Sequence, residues 1–150
     1  MKMLGWREWT TLPALGVPAL RVKIDTGART SALNARSIEP FDRDGRRWVR
    51  FTLRPDRRRA DEVVCKAAVK DVRVVKDSGG HAEERYVIET PIRLGNGCEE
   101  WPIEITLANR EGMLFAMLIG RTAIEGRCIV NPARSYLAGR PASARPGAPA

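Results

Sequence analysis

A single histidine, His81, stands in a chain of 150 residues. That excludes the H-E-x-x-H metalloprotease arrangement, which needs two imidazoles on one helix face, and leaves no basis for a His-ligated zinc site. Cysteine is nearly as scarce. Cys65, Cys98 and Cys128 lie too far apart for a CxxC knuckle, and an odd number cannot all pair within one chain, so reduced thiols are expected. No apolar run approaches the roughly 18 residues of a membrane-spanning helix, and the start of the chain lacks the apolar stretch of a secretory signal. A G-x-x-x-x-G-K-[ST] phosphate loop is also missing. These absences predict a cytoplasmic chain with no metal, no cofactor and no membrane partner.

Basic charge is plentiful. Lys and Arg number 26 against 18 acids, for a net charge of +8 and a pI near 10.1. Its distribution argues against nucleic acid as a partner. Between Glu39 and Glu62 eight arginines stand among six acids, a net of only +2, and the one basic block, Arg57-Arg58-Arg59, has no aromatic beside it. A nucleic-acid binder concentrates its cations on one face and interleaves stacking rings. A solvated Arg-rich loop is the expectation here.

At this length a single domain can bury roughly 70% of the surface that its unfolded chain exposes, without a disulfide or metal staple. Strict alternation marks strands: Leu20, Val22 and Ile24 against Arg21 and Lys23, then Val49, Phe51 and Leu53 against Trp48, Arg50 and Thr52. Turn clusters at 42–45, 77–80, 95–97 and 109–112 separate them. The pattern predicts an all-β barrel or sandwich. Residues 72–76 and 85–94 would form a long hairpin around 77–80, and the apolar run 114–119 a strand buried on both faces. The one short helix is expected at 122–126. From Ala138 the composition turns to Gly, Pro, Ala, Ser and Arg, so the domain is assigned to 1–137 and a disordered tail to 138–150.

The chemistry gathers where the first alternating strand runs into Asp25-Thr26-Gly27-Ala28. A carboxylate leaves a rigid strand, Thr26 can hydrogen-bond locally or across an interface, Gly27 permits close backbone approach, and Ala28 keeps the site narrow. Alone the motif is weak, arising by chance in about a few per cent of chains this size, and Asp and Gly also favour ordinary strand-ending turns. A second element adds to it. Met117-Leu118-Ile119-Gly120-Arg121 is an apolar strand closing on Gly-Arg about 95 residues downstream.

Together these segments resemble the retropepsins, single-domain aspartic proteases in which an apolar pair followed by Gly packs behind the Asp-Thr-Gly loop. A bacterial family of retropepsin-like proteins, often labelled ATP-dependent zinc protease, is the closer match. Gly5-Trp6-Arg7-Glu8-Trp9, the block 23–33, Glu84-Arg85-Tyr86-Val87-Ile88, Trp101-Pro102-Ile103-Glu104, Gly120-Arg121 and Asn131-Pro132-Ala133-Arg134-Ser135-Tyr136-Leu137 resemble its signature segments, over about residues 4–137. Neither half of the label suits a chain with one His and no phosphate loop.

The resemblance implies a closed retropepsin-like barrel and an aspartic peptidase with Asp25, Thr26 and Gly27 as catalytic residues. It also implies a homodimer, because the reaction needs two carboxylates about 3 Å apart sharing one proton, and this chain supplies one Asp-Thr-Gly. Ala28, the flap-like tip Asp77, Ser78, Gly79 and Gly80, and Arg121 are the expected substrate-binding residues. The tip reads equally as a surface turn. Arg121 reads equally as half of a structural ion pair, since the acidic residues that follow Asp-Thr-Gly-Ala in retroviral enzymes are replaced here by Arg29 and Thr30. Members of the bacterial family often carry His where this chain has Asn34.

Two other readings stay open: a non-catalytic dimeric binding module on the same fold, and a Cys-His hydrolase. For the latter, His81 beside Gly79-Gly80 reads as an exposed turn residue, and Cys65 and Cys128 sit in apolar strands where inert thiols are usual. The four tryptophans are expected to fill the core or a dimer contact.

Overall fold

The computed structural model describes residues 1–56, 59–76, 79–109 and 114–142. It is almost entirely β. The strands are β1 (Lys2–Leu4), β2 (Arg7–Leu12), β3 (Val17–Asp25), β4 (Ser31–Asn34), β5 (Arg36–Arg43), β6 (Arg46–Leu53), β7 (Val63–Lys76), β8 (Ala82–Leu94), β9 (Trp101–Ala108), β10 (Met117–Gly120) and β11 (Cys128–Val130). One helix, α1 (Arg121–Ile124), starts a residue earlier than the sequence suggests, and a 3-10 turn spans Pro13–Leu15. No helix among the described residues is long and apolar enough to cross a membrane.

Six strands close on themselves in the order β2, β3, β10, β4, β9, β8, and β2 meets β8 through Thr10 opposite Leu94 and Thr11 opposite Arg93. This is the closed retropepsin-like barrel expected from the sequence. Alternation explains it: Leu20, Val22 and Ile24 of β3 point inward and are buried, joined by Leu33, Ile88, Ile92, Ile105, Leu107, Met117 and Ile119. Each fully buried Leu, Ile or Val contributes about 1.5–3 kcal/mol of apolar transfer. The sheet continues past β8 through β7, β6 and β5, with Val49, Phe51 and Leu53 buried as their period-two pattern predicts. β1 and β11 form a separate parallel pair.

The expected hairpin is present and longer than predicted. β6 pairs with β7 only as far as Ala68, and β9 pairs with β8 only from Val87, so residues 71–76 and 82–86 run as a two-stranded ribbon. Val72, Val74 and Val75 are exposed on it. Gly79 and Gly80 are exposed near its tip, Gly80 with φ +83°, while Asp77 and Ser78 lie outside the described residues, as do Arg57, Arg58 and 110–113.

Two boundaries differ from the sequence reading. Only Met117–Gly120 of the apolar run is strand; Leu114 is 76% exposed, and Phe115 packs edge-on against Trp6 at 5.9 Å instead of joining the ladder. The packed chain also passes Leu137. Ala138 is buried, its carbonyl accepts from Asn96 N–H at 3.0 Å, and Pro141 is buried too. Residues 143–150 lie outside the described residues.

The anchor of that last segment is Glu8, which alternation turns into the barrel. Its fully buried carboxylate accepts N–H bonds from Gly5 (2.6 Å), Leu137 (3.0 Å) and Ala138 (3.0 Å). Outside the barrel, Glu104 bridges Arg73 (2.9 Å) and Lys70 (3.4 Å), and Lys70 also holds Glu89 at 2.6 Å. The Arg73 hydrogen bond first, then that of Lys70, holds the Glu104 carboxyl below the usual carboxylate range.

Replacing Glu8 by Gln keeps the shape but substitutes a donor for an acceptor against buried N–H groups. The variant is expected to lose about 1–3 kcal/mol in urea denaturation, and an unchanged midpoint would refute this role for Glu8. Glu104, with its pKa depressed on folding, contributes stability above the ordinary glutamate pKa of about 4.3, lost as pH falls through the lower folded value. Because the side chain is one-third exposed, that contribution is below about 1 kcal/mol, and Glu104→Gln should remove it. The check is the difference in stability between wild type and Glu104→Gln at pH 6 and at about pH 3, which should shrink on acidification.

Candidate active site

Asp25 is the last residue of β3. Ile24 before it is buried and donates its N–H to the Trp6 carbonyl at 2.8 Å, so strand alternation turns Asp25 to the outer face, where it is half-buried. The chain then folds back tightly. Gly27 N–H donates to Asp25 Oδ1 at 3.1 Å, and Ala28 N–H donates to the Asp25 carbonyl at 3.2 Å. Thr26 and Gly27 are exposed, and a Cβ on Gly27 would meet only Asp25 Oδ1, at 3.3 Å. Glycine therefore keeps the space beside the carboxylate open.

The turn is braced from behind by β10 and α1. β10 runs parallel to β3 and antiparallel to β4, which brings Gly120 opposite Asp25. Gly120 N–H donates to the buried Ser31 hydroxyl (3.0 Å), Arg121 N–H to the Ala28 carbonyl (2.8 Å), and the Thr122 hydroxyl to the Arg29 carbonyl (2.6 Å). The Arg121 guanidinium donates to the Gly27 carbonyl at 3.2 Å. Among the described residues this replaces the carboxylate ion pair considered for Arg121: the side chain braces the loop.

On the outer face the strands align side chains in a row: Arg7 opposite Lys23, Lys23 opposite Leu118, and Leu118 opposite Ala32. The catalytic candidates Asp25, Thr26 and Gly27 thus share one loop with Ala28, and Arg121 touches it. The ribbon carrying Gly79 and Gly80 is a separate element. Asn34, at the end of β4, gives its N–H to the Ala116 carbonyl at 2.8 Å.

The model of the RimB-like family, described as retropepsin-like aspartic endopeptidase RimB, matches residues 3–141. The chain belongs to that family. Among relatives, proteins named probable alpha-L-glutamate ligase are 44% identical over 135 residues in Desulfotalea psychrophila and 42% identical over 138 residues in Shewanella pealeana. The matches take in 88% and 91% of this chain but only 28% and 30% of those relatives, so the chain spans under a third of their length. Among solved structures, protein Lpg0085 of Legionella pneumophila, of unknown function, superposes with a TM-score of 0.75 at 28% identity, covering 91% of this chain and 98% of that one.

Within this RimB-like chain the thiols are poor candidates for a nucleophile. Burial pushes the Cys65 thiol up to about 11 and also raises that of Cys128, the opposite of what thiolate chemistry needs. Cys98 is exposed, as is His81. Trp101 fills the core and donates its indole N–H to the Ala123 carbonyl at 2.8 Å; Trp6, Trp9 and Trp48 are half-buried. Ser31 and Thr122 were not singled out from the sequence, where nothing distinguishes them from other hydroxyl residues. Lys23 could have been, since it lies two residues before Asp25 in an alternating strand.

Gly120→Ala tests the brace. Its Cβ would fall 2.6 Å from the Thr30 carbonyl carbon and 2.9 Å from Ser31 N, backbone that cannot rotate away. The variant should lose about 1–3 kcal/mol of stability and whatever activity the loop carries, read by thermal melting and peptide cleavage. Full retention of both would refute the brace.

Proposed function

We propose that this chain is an aspartic endopeptidase that works as a homodimer, two Asp25 carboxyls sharing one proton around a water. The observation that supports it is the exposed turn at Asp25, hydrogen-bonded from behind by β10 and α1 and open in front. The ionised carboxylate takes a proton from water as its oxygen attacks the peptide carbonyl carbon, while the protonated carboxyl polarises the carbonyl oxygen. The amide nitrogen then receives a proton and the C–N bond breaks. A second copy follows from the chemistry, since one chain supplies a single such carboxyl and a two-fold axis brings in its twin.

In this reading Thr26 braces the pair across the axis, and the open space at Gly27 admits the partner loop. Ala28, Gly79 and Gly80 lie along the substrate, and closure of the ribbon over it would exclude water. Arg121 acts through the loop it braces. The ligase name of the relatives favours a glutamyl peptide as substrate, a domain of this kind undoing the class of bond formed to alpha-L-glutamate. A cytoplasmic setting fits the three unpaired thiols.

The small share of those relatives that this chain matches supports a second reading, a dimeric binding module that assists another activity. Asp25→Asn separates the two. On the first reading the variant stays folded and dimeric by sedimentation, yet its cleavage of glutamyl peptides falls at least about 10²–10⁴-fold. Undiminished cleavage in the variant overturns the mechanism. A wild type that cleaves no peptide from mildly acidic to neutral pH favours the module.

A further inference from the structure

We propose that Arg21 and Lys23, with Arg7 beside them, form a cationic subsite that holds the carboxylates of an acidic peptide lying against Asp25. The inference rests on the peptidase reading and adds which residues select the substrate.

Strand geometry brings the groups together. Arg21, Lys23 and Asp25 are two residues apart in β3 and so share its outer face. Arg7 lies opposite Lys23, and Trp9 opposite Arg21. Aromatic rings carry the guanidinium groups: Arg7 sits 4.7 Å from the Trp6 centroid and 5.1 Å from that of Tyr136, and Arg21 sits 5.4 Å from that of Trp9. Arg140 approaches the same Trp9 ring at 5.6 Å. Such contacts hold a cation in place without neutralising it.

Counter-ions bear on this. Some cations elsewhere are paired, Arg47 with Asp42, Lys70 and Arg73 with Glu104, Arg93 with Glu100, Arg127 with Glu99, while others among the described residues, Arg46 and Arg50 included, are not. What sets this face apart is that its unpaired cations flank Asp25. Among the described residues no carboxylate forms an ion pair with Arg7, Arg21, Lys23 or Arg140. Glu8, the acid next to Arg7, is turned into the barrel and occupied by three backbone N–H groups. Uncompensated cations on one face attract a ligand of opposite charge.

The ligand is a peptide rather than a nucleic acid because the positive character stops. Across β10 and β4 the row continues with Leu118 and Ala32, both half-exposed. A phosphodiester strand needs cations along its whole path, whereas an extended peptide presents side chains of different character to successive positions.

The test measures binding of a short oligoglutamate peptide and its glutamine counterpart by fluorescence anisotropy at low salt. The protein is the full chain carrying Asp25→Asn, so nothing is turned over. Arg21→Gln/Lys23→Gln on that background should bind oligoglutamate about tenfold more weakly. Arg46→Gln/Arg50→Gln, which removes the same charge from the exposed side of β6, should not. Lys23→Gln alone, at an exposed position, serves if the double variant fails to fold. Equal weakening in both double variants, none in either, or tighter binding of an oligothymidylate through Arg21 and Lys23 overturns the subsite. With Asp25 intact, the ratio of kcat/KM for the glutamate over the glutamine peptide should fall about tenfold in Arg21→Gln/Lys23→Gln. Charge-specific binding without any cleavage would keep the subsite and remove the peptidase. Equal cleavage of both peptides, untouched by the substitutions, would do the reverse.

Discussion

β10 lies between β3 and β4, and the site depends on how closely its last residue approaches the chain that leaves Asp25. Gly120 stands opposite Asp25 with no room for a side chain against Thr30 and Ser31. That contact lets Arg121 and Thr122, the next two residues, reach the carbonyls of Ala28 and Arg29 with their backbone N–H groups. The loop's acceptors are thereby satisfied from the barrel side, and Thr26 and Gly27 stay open on the other. A carboxylate set at the end of a strand and bonded by its own turn needs little reorganisation to act.

The barrel in turn depends on β2, which pairs with both β3 and β8. Its inward acid, Glu8, does for the C-terminal segment what a strand ladder does elsewhere. Three backbone N–H groups, from Gly5, Leu137 and Ala138, meet one buried carboxylate, so residues that form no strand are still held against β2. Gly5 and Gly95 fit this arrangement: a Cβ on either would strike the backbone of Arg134 or Ala138. Trp6 and Tyr136 then close the junction with backbone bonds to Arg134 and Arg7, at 2.8 and 2.9 Å.

Much of the β fold was legible because period-two burial is written directly into β3 of the barrel and β6 of its extension, and turn residues punctuate them. What depends on long-range packing was not. The run 114–119 is uniformly apolar, yet its first residues leave the ladder because Phe115 finds Trp6, a partner more than a hundred positions away in the chain. Ala138 looks like the start of a polar tail until Glu8 is known to be buried beneath it. At the site, Asp25 and the Gly-Arg pair were visible as motifs. That Arg121 would bond a carbonyl of its own loop was not, since a guanidinium is satisfied by any well-placed oxygen and composition does not say which.

Net charge misleads here for a related reason. A total of +8 says nothing about which cations are already neutralised, and the stretch densest in arginine, 39–62, nets only +2 because acids interleave with it. What matters is the remainder left on one face. Alternation along β3 aligns Arg21, Lys23 and Asp25 from the sequence alone, but one strand of basic residues is an ordinary solvated surface. Only the register, which sets Arg7 and Trp9 across from them and sends Glu8 inward, turns that surface into a set of cations whose one acid is Asp25 itself. The same inward turn of Glu8 that fastens the C-terminal segment thus withholds a counter-charge from the outer face, so the stability of the barrel and the charge beside Asp25 share an origin.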